Sequence, residues 1–199
     1  RMNDYDTRIS GGLIAISLRD DDELVAAVQT NGENDIFLTS KDGMTIRFSE
    51  KDVRAMGRNA SGVRGMKLKN ENDVVVGCDV ASEGAVMLYV SSQGYGKRTE
   101  QSAFNTQGRG GQGVRGVKVS EERGNVVAAF SVEENDEVLV FSSAGNIIRT
   151  NVSDISLQGR AASGVKVARP GEDEQIVAVA RVLERDDKGD DENTQAEQG

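Results

Sequence analysis

Apolar residues come in short runs broken by turn residues, and no stretch sustains a 3.6-residue period. Leu24–Gln29, Asp35–Ser40 and Met44–Phe48 form one set of runs. Val74–Val80, Ala85–Ser91 and Tyr95–Thr99 form a second. Val117–Val119, Val126–Val132, Glu137–Ser142 and Asn146–Thr150 form the third and fullest set. Their β-branched and apolar content predicts strands. The loops EERG and EEND separate strands in the third set, and Asp42-Gly43 is a hairpin signal. A short turn near Ser49–Val53 is the most helix that the pattern predicts.

The sets are copies. Gly43, Gly94 and Gly145 stand 51 residues apart, and so do Arg47, Arg98 and Arg149. Ser40, Ser91 and Ser142 keep the register, as do the pairs Gly57-Arg58, Gly108-Arg109 and Gly159-Arg160. Gly62-Val63, Gly113-Val114 and Gly164-Val165 keep it again. Four short strands per unit of this length, in series, predict an all-β, propeller-like fold of four-stranded blades. One such blade cannot bury its own faces, so neighbours must stack. The repeats fall at approximately 13–63, 64–114 and 115–165, with a partial one at 166–183, which predicts an open ring of about three blades.

Composition narrows the chemistry. With 23 glycines, one proline and 4% aromatics, the chain suits tight turns between strands. It has no histidine and one cysteine, Cys78, so the histidine-based bases and metal sites and any internal disulfide are excluded. No residue is read as catalytic, none as a metal ligand, and no cofactor is expected. No apolar run is long enough for a membrane helix. The chain opens at Arg1 with no basic-then-apolar leader, so a cytoplasmic piece of a longer protein is expected.

Charge is sorted along the chain. The net charge is −9, of which residues 184–199, with seven acids and two bases, carry −5. That acidic, aromatic-free tail is expected to be disordered. In the body, Val53–Asn70 holds Arg54, Arg58, Arg64, Lys67 and Lys69 with no acid. Gln101–Ser120 holds Arg109, Arg115 and Lys118, and Ile155–Gly171 holds Arg160, Lys166 and Arg169, again without acids. Acids gather in other turns, Glu121-Glu122 among them. Repetition should stack the basic segments along one edge. A curved row of cations suits bent duplex DNA held by its phosphates, without base readout.

The segment Gln107, Gly108, Arg109, Gly110, Gly111, Gln112 and Gly113 is the most distinctive of these loops. Its glycines satisfy G-x-G-x-x-G, but no helix follows, so a nucleotide site is rejected. Its sister loops, Met56–Gly62 and Gln158–Gly164, lack the inner glycines. Arg109 is the candidate phosphate contact, with Gly110 and Gly111 letting the loop lie close. The wider candidate set adds Arg58, Arg64, Lys67, Lys97, Arg98, Arg115, Lys118, Arg149, Arg160 and Lys166. Tyr5, Tyr89 and Tyr95 show no cation cluster in the sequence around them.

The segments QGRGGQG at 107–113, GYGKRT at 94–99, GNIIRT at 145–150 and RISGGLIAISLRDDDELVAAV at 8–28 resemble the C-terminal domain of bacterial DNA gyrase A. QGRGGQG is similar to that family's box, Gln-Arg-Arg-Gly-Gly-Arg-Gly, with Gly108 and Gln112 replacing basic residues. It resembles the variant box of actinobacterial gyrases. The resemblance implies a β-pinwheel that wraps double-stranded DNA and supports negative supercoiling. It implies no catalysis by this chain, with ATP and magnesium serving other parts of an ATP-hydrolysing topoisomerase. It also implies the rest of gyrase A and the gyrase B protein as partners, in the nucleoid-associated cytoplasm. The related domain of topoisomerase IV and a propeller-type protein-interaction scaffold are the alternatives.

Overall fold

A computed structural model of the chain describes residues 11–19 and 21–182. Tyr5, Asp20 and the acidic segment 184–199 lie outside the described residues, so the expectations placed on them do too. The strands are β1 Asp35–Ser40, β2 Met44–Ser49, β3 Val75–Val80, β4 Val86–Ser91, β5 Tyr95–Glu100 and β6 Val114–Arg115. They continue with β7 Val126–Val132, β8 Glu137–Ser142, β9 Ile147–Asn151, β10 Val165–Lys166 and β11 Ile176–Arg181. Every strand pair is antiparallel. Helical structure among the described residues is limited to 3-10 turns at Glu50–Asp52, Gln101–Ala103 and Val152–Asp154.

Three sheets result, in the orders β3-β1-β2-β6, β7-β4-β5-β10 and β11-β8-β9. This corrects the expectation that one unit makes one blade. Val126–Val132 does not pair with Glu137–Ser142, the next strand in its own unit. It pairs with β4 of the unit before, Leu88 opposite Phe130. The EEND turn therefore carries the chain from one blade to the next and closes no hairpin. Each tight hairpin (β1-β2, β4-β5, β8-β9) receives its inner edge from the following unit. The first two also receive a short outer strand from the unit after that, with Met44 opposite Arg115 and Tyr95 opposite Lys166.

Two expected strands are absent for related reasons. Val117–Val119 is not a strand, because Gly116 and Val117 both donate to the Gly43 carbonyl and cap the first hairpin turn. Leu24–Gln29 is exposed and unpaired. Its register counterparts β3, β7 and β11 each pair with the hairpin of the preceding unit, and no described hairpin precedes Leu24.

Burial follows from the exchange. Strand β4 is buried along its whole length, as expected of a central strand covered on both faces. Val86, Leu88 and Val90 pack with Val138, Val140 and Ile176 of the third sheet. Met87 and Tyr89 point the other way, toward Phe37, Phe104 and Ala129. The alternation is that of a pleated strand. Polar groups at the first boundary are matched: the Thr45 hydroxyl shares hydrogen bonds of 3.0 Å with both Thr39 and the Tyr89 phenol. The inner strands come very close. A Cβ at Gly77 of β3 would lie 2.3 Å from the Ala129 carbonyl oxygen of β7. The inner edges thus crowd together while the outer edges, at β6 and β10, spread apart.

Gly43, Gly94 and Gly145 occupy the same turn position with φ of +80°, +75° and +85°. A Cβ at Gly94 would meet the Ala168 carbonyl oxygen at 2.2 Å, whereas at Gly145 nothing described lies within 4 Å. Gly145→Ala should therefore cost about 1 kcal/mol for the left-handed backbone. Gly94→Ala should cost roughly 2–3 kcal/mol, since the capping segment must also move. Urea unfolding midpoints measure both; equal losses would show that residues 165–168 do not close on this turn.

Candidate nucleic-acid interface

The linking loops must cross from the outer edge of one blade to the inner edge of the next. Loop 104–113 does so along β2, with Gln107 N–H on the Arg47 carbonyl at 2.9 Å. Loop 155–164 runs along β5, with Gln158 N–H on the Arg98 carbonyl at 2.8 Å. Backbone bonds then join the loops side by side. Ser17 donates to Ala60, Lys67 to Gly111 and Lys118 to Ala162, at 3.3, 2.8 and 3.1 Å. Residues 56–62, 107–113 and 158–164 thus form a row on the outer edge of the blades. Arg64, Lys67, Arg115, Lys118, Lys166 and Arg169 are exposed on it, and Arg58 and Arg160 are half-buried.

Within the 107–113 loop only two glycines are required by the backbone. Gly110 has φ +86° and donates to the Gly65 carbonyl at 2.7 Å. Gly113 has φ +73°, and a Cβ there would lie 2.4 Å from the Thr45 carbonyl oxygen. Gly108 faces open space, and Gly111 has only ordinary contacts. Ala161, the counterpart of Gly110, keeps negative φ, so this loop departs from its sister at Gly110. Gln112 is exposed and Gln107 half-buried. Arg109 is engaged: Nε donates to the Asp52 carbonyl at 3.1 Å, and Nη1 donates to that of Arg64. It ties its loop to the neighbouring one.

Three basic candidates lie elsewhere. Lys97 is fully buried beneath loop 158–164, with Nζ donating to the carbonyls of Gly159 and Arg160 at 2.6 and 2.8 Å. It does not reach the surface. Its register counterparts, Ile46 and Ile148, are apolar, which is the sequence signal for an inward position. Arg98 has an 11% exposed side chain. Its Nε donates to the Ile155 carbonyl at 2.6 Å, so it clamps the following 3-10 turn. Arg47, which also pairs with Asp35 at 2.8 Å, holds the Gln101 and Phe104 carbonyls in the same way. Arg149 pairs with Glu137 of the strand beside it, Nε on Oε2 at 2.9 Å. These side chains satisfy carbonyls and carboxylates rather than facing a ligand.

Tyr95 overturns the expectation that it has no cations of its own. Its ring centre lies 4.6 Å from the Arg123 guanidinium carbon and 4.3 Å from Lys166 Nζ. Sequence reasoning misses Arg123 because it sits in EERG, a turn dominated by acids. Tyr95 and Arg123 are 28 residues apart, so no local pattern joins them.

Burial pushes the Lys97 ammonium down to about 8, and the nearby Arg160 charge adds to the effect. Its ordinary value is 10.5. Between these values the unfolded chain holds a proton that the folded chain lacks. The folded state therefore gains stability from this side chain as pH rises through that window, and carries the cost of the buried charge below it. Lys97→Met removes the titration. The stability of the native chain relative to this variant should rise from pH 7 to pH 10, read from urea midpoints. A pH-independent difference would show an ordinary lysine.

The family model described as DNA gyrase C-terminal domain, beta-propeller, matches residues 7–31, 34–82, 88–133 and 136–182. DNA gyrase A of Haemophilus influenzae is 37% identical over 99% of this chain, which spans 26% of that protein. The Salmonella typhimurium counterpart is 42% identical over 92% of the chain, which spans 21% of it. A solved DNA gyrase A C-terminal domain superposes with a TM-score of 0.80 at 34% identity, covering 87% of this chain and 59% of that domain. The C-terminal domain of DNA topoisomerase IV superposes at 0.84 with 24% identity, covering 91% of this chain and 57% of that one, a likeness of fold. The exchanged four-stranded blades, the repeated glycine turns and the loop row thus belong together: this chain is a member of the DNA gyrase C-terminal domain, beta-propeller, family.

Proposed function

We propose that this chain binds and wraps duplex DNA as part of a gyrase A protein, gripping phosphates without reading bases. The observation that carries this reading is the hydrogen-bonded loop row. Its segments 53–70, 104–118 and 155–169 contain eleven cations and no carboxylate. Inner strands that crowd and outer edges that spread give the row a convex course, which suits a polyanion that bends. Exposed Arg64, Lys67, Arg115, Lys118, Lys166 and Arg169 supply the contacts, while Arg109 keeps adjacent loops in register. The relatives that carry the gyrase A name favour gyrase over topoisomerase IV.

In this reading the chain performs no bond chemistry. Strand cleavage, ATP hydrolysis and magnesium binding belong to the rest of gyrase A and to gyrase B. The bent DNA it presents gives strand passage its direction, and the setting is the bacterial cytoplasm at the nucleoid.

Binding to a duplex of about 40 base pairs, long enough to span several phosphate contacts, over a salt series tests the proposal. Affinity should fall linearly in log K against log salt. Arg115→Gln and Lys118→Gln should each reduce the slope by about 0.9, the loss of one phosphate contact. Both should weaken unrelated sequences equally. Affinity that ignores salt, or that changes for one sequence alone, would overturn phosphate gripping and favour a protein-interaction scaffold.

A further inference from the structure

Tyr95 opens β5 directly after the Gly94 turn, and its half-buried ring lies between two cations. Lys166 is its ladder partner on β10, and Arg123 reaches it from the turn at Ser120–Gly124. The cations are anchored by backbone. Arg123 Nη1 donates to the Gly164 carbonyl at 3.1 Å, and Lys166 Nζ donates to that of Gln93 at 3.0 Å. Neither forms an ion pair within 4.0 Å among the described residues. Lys118 and Ser163 line the same small crevice as Tyr95 and Arg123.

Two like charges drawn to one ring repel each other, and the ring quadrupole offsets only part of that. Each cation spends one donor on a carbonyl. An arginine has five N–H groups and a lysine three, so most remain available. A tetrahedral anion would accept from the guanidinium and the ammonium, with the phenol and the Ser163 hydroxyl at hand as further donors. The first blade lacks this set. The register counterparts of Tyr95, Arg123 and Lys166 there are Met44, Asn72 and Arg115, a single cation with no aromatic.

We infer that Tyr95, Arg123 and Lys166, with Lys118 beside them, form a phosphate-binding anchor at the second blade that holds one backbone phosphodiester of the bound duplex. This rests on the DNA-binding reading above and adds to it a fixed point. The other loops offer cations exposed to water. Here a ring and two carbonyls set the cations before the ligand arrives, so less side-chain freedom is lost on contact. The duplex is therefore pinned at the second blade and bends outward from there.

The test uses the whole chain. Arg123→Gln/Lys166→Gln should lower the salt slope by about 1.8, twice the loss from Arg115→Gln, since two cations leave the phosphates. Arg123→Lys/Lys166→Arg keeps both charges and should keep the slope, and a urea melt of each variant checks the fold. Tyr95→Phe should weaken binding about 5-fold without changing the slope, as the loss of one neutral donor. Normal binding and slope in the double Gln variant, with Arg115→Gln still effective, would overturn the anchor and leave the general reading intact. A second arm titrates inorganic phosphate against the Tyr95 ring signal by NMR. Perturbation by phosphate but not by duplex DNA would make the cluster a small-phosphate site and overturn its place on the DNA path. A native chain that fails to bind duplex at any salt would instead refute the function reading.

Discussion

Everything in this fold depends on how the hairpin edges are filled. A two-stranded hairpin is marginal in water and leaves open backbone on both sides. Here β1-β2 gains β3 and β6, and β4-β5 gains β7 and β10, all from later parts of the chain. Pairing with later units ties neighbouring blades through backbone hydrogen bonds as well as side-chain packing. It also dictates the loops. A chain that leaves β5 and must next complete the blade of β2 has to travel along the outer edge of that blade. The course of 104–115 is that path, and 155–166 repeats it one blade on.

The basic residues divide by where this path places them. On the strands, Arg47, Arg98 and Lys97 reach carbonyls of the loop laid against them, which would otherwise be buried acceptors without donors. On the loops and their exits, Arg64, Lys67, Arg115 and Lys118 face water. The first group builds the row and the second presents it. Arg109 and Arg123 stand between the two, each tied to a neighbouring loop by one or two carbonyls while lying on the outer side.

The inner side obeys a different constraint. Strand β4 is covered on both faces, so each of its side chains must match a neighbouring sheet. Its one polar tip there, the Tyr89 phenol, is met by Thr45 at 3.0 Å, and burial raises its pKa well above the ordinary value. Gly77 provides the close approach that lets successive inner strands touch. Tight inner packing and spread outer loops are two sides of one geometry, and the convex basic face follows from both.

Much of this was legible in the sequence. The 51-residue register named the strands, the glycine turns and the basic loops, because each of these depends on local pattern: β-branched runs, positive φ after a tight turn, and charge without acids nearby. Register also marked Lys97 as inward, through Ile46 and Ile148. What pattern could not decide was which strand pairs with which. Val126–Val132 is as apolar as any partner needs, and its pairing with β4 instead of β8 is set by stacking between blades, a contact across about 40 residues of chain. For the same reason Leu24–Gln29 reads as a strand and forms none, since a strand exists only where another offers its edge. The tyrosine between Arg123 and Lys166 was equally invisible. Its three residues lie in a hairpin turn, an acidic turn and a loop exit, and only the tertiary fold, by closing residues 164–168 over the Gly94 turn, brings them to one ring.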